Sequence, residues 1–300
     1  MSCKHYDSVI IGHITKDYNI DHLGNTVEIC GGAVLYSSAS AHVLGHKVAA
    51  VTRLANNDLD RLDAFTIPKE DIYSIESKNS TTMKNEYFTP DKERRRCTCL
   101  SLGDPFTIDD IPKANADIYH FAGLTYGDFS NDLIKKCAEL GAVAVDVQAC
   151  LRHADMTDGS MYFEDWADKK EMLPFIKFLK TDAAEAEIMT GTSNREEAAK
   201  ILHSWGADEV LITYNTEVLI YDGKSVFTCP IRARNLNGRT GRGDTTFAAY
   251  INERLNNDIA SSLLYATATV SLKMETPGPL KCSRQDIEEY IKSFYSDYVK

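Results

Sequence analysis

The chain has no apolar run approaching the ~20 residues that a membrane-spanning helix needs, so none is expected. It also lacks a linker rich in Pro, Ser or Gly. With 300 residues and 43% hydrophobic content it can bury one large core, and residues 1–300 are read as a single main domain. Basic charge is scarce: 33 Lys and Arg stand against 44 Asp and Glu, for a net charge of −11 and a pI near 5.2. A nucleic-acid backbone would be repelled. The one basic run, Lys92-Glu93-Arg94-Arg95-Arg96, follows the turn signal Thr89-Pro90-Asp91 and reads as a solvated hairpin tip. No secretory pattern is read at the start, and eight scattered cysteines predict reduced thiols in a cytoplasmic protein. Cys97-Thr98-Cys99 has no partner pair at zinc-finger spacing. A Gly-x-Gly-x-x-Gly turn is missing after the first strand, where Gly12-His13-Ile14-Thr15 stands, which excludes a dinucleotide oxidoreductase.

What is present is alternation. Buried strands are predicted over 8–12, 48–51, 118–121, 142–146, 175–181 and 210–213, with a hairpin-like pair over 218–221 and 225–229. Helices are predicted over 32–44, 131–140, 183–190, 195–205, 245–255, 259–273 and 284–298, three of them stopped by Gly45, Gly141 and Gly191. This order predicts an α/β sandwich with a mostly parallel sheet. Two segments break it. Residues 14–29 and 81–101 alternate polar and apolar around turn signals at Leu23-Gly24-Asn25 and Pro90-Asp91-Lys92. They read as a small separate sheet that covers a ligand at the sheet's carboxyl edge, or as edge hairpins with no such role.

The stretch from Asn237 to Phe247 carries the most chemistry. Gly241 and Gly243 let the backbone turn with its N–H groups pointing one way, and the helix that follows adds the positive end of its dipole. That is a polyphosphate site. A carboxylate at Asp244 would repel phosphate, so its useful role is to take the proton of a hydroxyl attacking that phosphate. The plain alternative is a Gly-rich loop with an Asp at a helix N-cap.

Gly31-Gly32-Ala33-Val34-Leu35-Tyr36-Ser37-Ser38-Ala39, followed by Leu44-Gly45, resembles the N-terminal signature of the ribokinase-like, or PfkB-type, carbohydrate kinases. Gly241-Arg242-Gly243-Asp244-Thr245-Thr246-Phe247 resembles their C-terminal signature, about two hundred residues on, as in that family. The resemblance implies a three-layer ribokinase-like sandwich with a β-sheet lid, ATP and Mg²⁺ as cofactors, and a hydroxyl acceptor. It makes Asp244 the catalytic base, with Gly241 and Gly243 as the anion hole and Arg242 either neutralising the transferring phosphate or pointing to solvent. Asp17 and the backbone at Gly31 and Gly32 would hold the acceptor, a carboxylate matching two vicinal hydroxyls; Asp17 as a mere turn cap is the alternative.

Lys180-Thr181-Asp182-Ala183-Ala184-Glu185 aligns with the family's Asn-x-x-Glu motif, Asp182 standing for the asparagine and Glu185 reaching Mg²⁺ through water. Without the resemblance, two acids in a helix's first turn would be dipole complements. Thr213 and Asn215 fall where a nucleotide loop is usual, though its glycine is missing. Thr240 and Thr267 are counted with them, Thr267 in a small-residue helix that packing explains equally well. Gly238 replaces an aspartate of a loop often linked to a monovalent cation, which leaves potassium dependence open. Asp146-Val147-Gln148-Ala149-Cys150-Leu151-Arg152 is similar to a run in the inositol-kinase subgroup, and Glu86-Tyr87 to its lid. Gln148, Arg152 and Glu86 would then touch a sugar, polyol or cyclitol. Two other readings stay open: a nucleoside kinase stacking its base on Tyr36, Tyr87 or Phe88, and a catalytically silent metabolite sensor. Lid strands also suggest a homodimer.

Overall fold

The computed structural model describes residues 4–89 and 94–298. Its elements are β1 (His5–Ile11), β2 (Thr15–Ile20), β3 (Thr26–Gly31), α1 (Ala33–Val43), β4 (Val48–Leu54), β5 (Ile72–Glu76), β6 (Thr82–Tyr87), β7 (Arg95–Ser101) and β8 (Asn115–Phe121). There follow α2 (Asn131–Ala138), β9 (Ala142–Asp146), α3 (Gln148–Leu151), β10 (Arg152–Ala154), β11 (Met161–Phe163), α4 (Lys169–Met172), β12 (Phe178–Asp182), α5 (Ala183–Thr190) and α6 (Arg195–Ser204). The chain closes with β13 (Glu209–Thr213), β14 (Glu217–Tyr221), β15 (Val226–Pro230), α7 (Arg242–Glu253), α8 (Ile259–Lys273) and α9 (Arg284–Phe294). Among the described residues no helix is long and apolar enough to cross a membrane.

Continuous apolar runs such as Val9-Ile10-Ile11 and Val143-Ala144-Val145 make strands that are buried on both faces, as a parallel sheet covered by helices requires. Among the described residues the large sheet has the order β15-β14-β13-β12-β9-β8-β1-β4-β5, parallel from β13 to β5 and antiparallel at the β13-β14-β15 end. Alternate residues of one strand feed different cores. Val143 and Val145 pack with α2, α5 and α6, whereas Ala144 packs with α7, α8 and α9. The result is three layers. A second sheet, β3-β2-β6-β7, is built from the two segments that broke the alternation.

Boundaries moved where local chemistry outweighed periodicity. Helix α7 begins at Arg242 rather than 245, because Gly241 adopts the left-handed φ of 80° and its carbonyl accepts from Thr245 N–H at 2.9 Å. The strand expected over 175–181 begins at Phe178, since Leu173–Phe175 closes a single helical turn around Pro174. The last helix stops at Phe294. The turn at Pro90-Asp91-Lys92 lies outside the described residues, as do Lys92 and Glu93 of the basic run; Arg95 and Arg96 open β7.

Candidate active site

The parallel strands deliver their carboxyl ends to one edge, and α7 points its N-terminus there. Small residues on α1 make that placement close: the Ser40 hydroxyl donates to the Thr245 carbonyl at 2.8 Å and the Ser37 hydroxyl to that of Asp244 at 3.4 Å. A side chain at Gly241 would start 2.2 Å from the Tyr36 ring, so the turn is sterically committed to glycine. Asp244 thus sits in the first turn of α7, half-buried. Burial and the nearby Asp146 push its carboxyl up to about 6, against the pull of Lys180, Arg152 and Lys273. A carboxyl held there is mostly ionised at neutral pH yet basic enough to accept a proton.

Lys180 organises the neighbouring charge. Its buried ammonium lies 2.9 Å from Asp146 and 3.9 Å from Glu185, and a side chain at Gly243 would begin 3.3 Å from it. It therefore stands beside the turn's amides. Asp182 and Glu185 form a reciprocal cap at the start of α5, each carboxylate accepting from the other's backbone N–H at 2.8 Å. Burial raises Glu185 to about 7, Lys180 opposing and Asp146 and Asp182 adding to the rise. The donor set fits a divalent cation, because three carboxylates around one ammonium leave negative charge unanswered. Among the described residues no three of these acids come close enough to enclose an ion by themselves; the group that does is His5, Asp7 and Asp117, in the strands β1 and β8. A magnesium ion here would draw on few carboxylates, water and the donor's phosphates.

The small sheet supplies the opposite wall. Asp17, on inner strand β2, has a buried Oδ1 without a hydrogen-bond partner in the chain. Such an orphaned atom suits a polyhydroxylated ligand. Burial raises the Asp17 carboxyl, while Thr15, Arg95 and Arg152 act to lower it. A side chain at Gly31 would meet Asp17 Oδ2 at 2.4 Å. Arg152, anchored through Nε to the Leu124 carbonyl at 2.8 Å, acts electrostatically on both Asp17 and Asp244. Gln148 opens α3, its backbone N–H donating to Asp146 at 3.1 Å.

Other expected residues lie elsewhere. Glu86 is on the wrong face: Asp17 pairs with Met83 and Ile20 with Glu86, so side-chain alternation aims Glu86 away from Asp17. It is ion-paired with Lys84 and Arg96 at 3.3 and 3.0 Å. Thr267 is fully buried and its hydroxyl donates to the Leu263 carbonyl at 2.7 Å, inside its own helix. Thr213 is buried at the end of β13; Asn215 and Thr240 are exposed. Arg242 opens α7, half-buried, its carbonyl accepting from Thr246 at 2.8 Å. Tyr36 and Tyr87 are buried and Phe88 is exposed.

Sequence reading missed two groups, Arg95 and Lys273. Arg95 pairs with Tyr87 across β6 and β7 and so shares the face of Asp17; only the register reveals this. Lys273 carried one signal, a lone cation closing an otherwise uncharged helix. Its Nζ donates to the Gly238 carbonyl at 2.6 Å.

The sequence profile of the pfkB family carbohydrate kinases matches residues 3–286. Among curated proteins, a cytidine kinase of Thermococcus kodakarensis is 24% identical over 265 residues, spanning 82% of this chain and 87% of its own. Among solved structures, the sulfate complex of a pyrophosphate-dependent kinase in the ribokinase family superposes with a TM-score of 0.84 at 30% identity, over 94% of this chain and 99% of its own. Such a kinase complexed with a pyrophosphate analog and myo-inositol gives 0.83 at 29% identity, over 94% and 99%. Ribokinase of Arabidopsis thaliana, complexed with ribose and ATP, gives 0.75 at 15% identity over 97% and 99%, a likeness of fold alone. With its glycine turn, first-turn acid and two sheets in this order, the chain belongs to the pfkB family of carbohydrate kinases, phosphotransferases with an alcohol acceptor on the ribokinase-like fold.

Proposed function

We propose that this chain transfers a phosphoryl group from a polyphosphate donor, with Mg²⁺, to a hydroxyl of a cyclitol or related polyol, and that residues 1–300 act as one kinase unit with the small sheet as its lid. One observation carries the reading: Asp244 stands in the first turn of α7, directly after the left-handed Gly241 turn and beside the buried Lys180 ammonium, which lies 3.3 Å from where a side chain at Gly243 would begin. The acceptor O–H gives its proton to Asp244 as the oxygen attacks phosphorus in line. The Gly241 to Asp244 amides, the start of α7 and Lys180 answer the charge on the transferring group. Bound magnesium would neutralise phosphate oxygens, with Glu185 holding it through water.

Polar groups favour a polyol over a nucleoside. Asp17, Asn19 and Asn85 share one face of the small sheet, whereas two of the three rings considered for base stacking are buried. For the donor, ATP is the expectation from the family and pyrophosphate is the second reading. Thr267, expected to face a nucleotide, is instead fully buried and donates into its own helix. The pyrophosphate-dependent kinases that resemble this chain at 29–30% identity support it further. A dimer through the lid belongs to the reading as well, supported by Val27 and Leu100, exposed on its outer strands.

Incubation with Mg²⁺ and either donor against a panel of cyclitols, sugars and nucleosides, read by phosphorus NMR, tests all of this. Phosphorylated myo-inositol is the expected product, from ATP on the first donor reading and from pyrophosphate on the second. Product from nucleosides alone overturns the acceptor, product from ATP alone overturns the second donor reading, and tight binding without product makes the chain a sensor.

A further inference from the structure

Lys273, the last residue of α8, has no exposed surface. Packing accounts for its aliphatic stem but not for its charge, which is costly to bury unless hydrogen bonds and opposite charge answer it. Its Nζ donates to the Gly238 carbonyl at 2.6 Å and lies 5.2 Å from the centre of the Tyr36 ring. Burial brings the ammonium down to about 8, with Asp244 opposing. The carboxyl end of α8 favours a cation as well. Gly238 is held from its other side, its N–H donating to the Met274 carbonyl at 2.7 Å, and a side chain there would start 1.8 Å from the Thr276 carbonyl oxygen. The loop that leads into Asp244 is thus clamped to the end of α8, with a positive charge beneath it.

The monovalent cation that the family resemblance raised does not fit this loop. No carboxylate stands at 238, none can enter without displacing the Thr276 carbonyl, and the Gly238 oxygen already accepts from an ammonium. We infer that Lys273 is a positioning residue that acts as the chain's own monovalent cation: held on the Gly238 carbonyl, it fixes residues 237–241 and Asp244 for phosphoryl transfer, and turnover needs no added potassium or sodium. This rests on the reading of Asp244 as the base. Were Lys273 only a helix-end cap, its loss would lower stability equally in every salt.

The first measurement is wild-type turnover in potassium, sodium and choline chloride at matched ionic strength. Rates within about twofold are expected, and activation by potassium of about tenfold or more, as a required ligand would give, overturns the inference. The second is Lys273→Met, similar in length and uncharged. Its kcat in choline is expected to fall roughly 10²-fold, as a misplaced Asp244 and anion hole would give, with acceptor KM nearly unchanged and partial recovery in potassium or ammonium chloride. Unchanged kcat in choline, or a loss identical in all salts, refutes it. Should that variant not fold, the wild-type salt series decides alone. Should no donor and acceptor pair react, the proposed function fails, and the inference is read instead from the rise in Tm given by pyrophosphate with Mg²⁺. An equal rise in choline and potassium supports it; a rise confined to potassium overturns it.

Discussion

Asp244→Asn separates catalysis from stability. The carboxyl moves from an ordinary 3.8 to about 6, burial being the largest cause. Between those values the folded chain keeps a proton that the unfolded chain has released, so stability falls as pH rises through that window and stays lower above it. At about 1.4 kcal/mol per tenfold change in proton affinity, the loss has an upper bound of about 3 kcal/mol. Asp244 is half-buried and water screens part of its charge, so about 1–2 kcal/mol is the expected effect. Asparagine keeps the volume and removes the charge. The variant should therefore be more stable than wild type at pH 7.5 by that amount, a few °C in Tm, with the gap closing toward pH 4. Its turnover should fall roughly 10²–10⁴-fold, about 3–5 kcal/mol in barrier. Urea unfolding at both pH values and a kinetic assay on the same preparation measure both effects. A variant that turns over within tenfold of wild type removes Asp244 from the base role; one destabilised at pH 7.5 refutes the electrostatic account.

In the wild-type enzyme kcat/KM should decline about tenfold per pH unit below about 6, as Asp244 takes up its proton; a flat acid limb contradicts this. Asp17→Asn should raise acceptor KM about tenfold or more and leave donor KM alone, whereas Glu86→Ala, on the opposite face, should change neither. Equal effects of the two would refute the assignment of Asp17 as the acceptor-binding carboxylate. Lys180→Met strands Asp146 and Glu185 without their shared cation and should cost about 3–5 kcal/mol of stability by denaturant unfolding, together with donor affinity. Gly238→Asp, which brings back the residue common in the family, should unfold or strongly destabilise this chain in a thermal melt, because the Thr276 carbonyl occupies the space.

Some elements bounded by chemical stops were legible to the residue, while α2, read to 140 before Gly141, ends at Ala138. Helix α8 runs over 259–273 as read, its Asp258 carboxylate accepting from Ser261 N–H at the start, and α5 ends on Gly191 at a left-handed φ of 77°. Strand β9 likewise matches its apolar run. The chain's edges were less so. Strand β5 mixes half-buried and exposed positions and has little period to read, and it exists because β4 offers it a parallel partner. Strands β10 and β11 span three residues each, too short to show a period, and are strands through their antiparallel pairing.

Motifs locate backbone, and this is why the site was only half visible. A glycine turn and an acid in a first helical turn are local facts, and they led to Asp244 and Glu185. Which charges face each other is a fact of register and packing. Glu86 and Arg95 show the limit most clearly: moving one residue along a strand turns a side chain to the other face, and nothing within residues 81–101 says which parity looks toward Asp17. Lys180 and Asp146 stand 34 residues apart, and Lys273 and Gly238 stand 35 apart. Each pair meets only because α7, α8 and the ends of β9 and β12 converge. Convergence also explains the electrostatics, since acids from different elements raise one another's proton affinity in a way no single segment encodes. On the proposed function, a donor phosphate would bring further negative charge among these acids, and a divalent cation arriving with it would offset that charge.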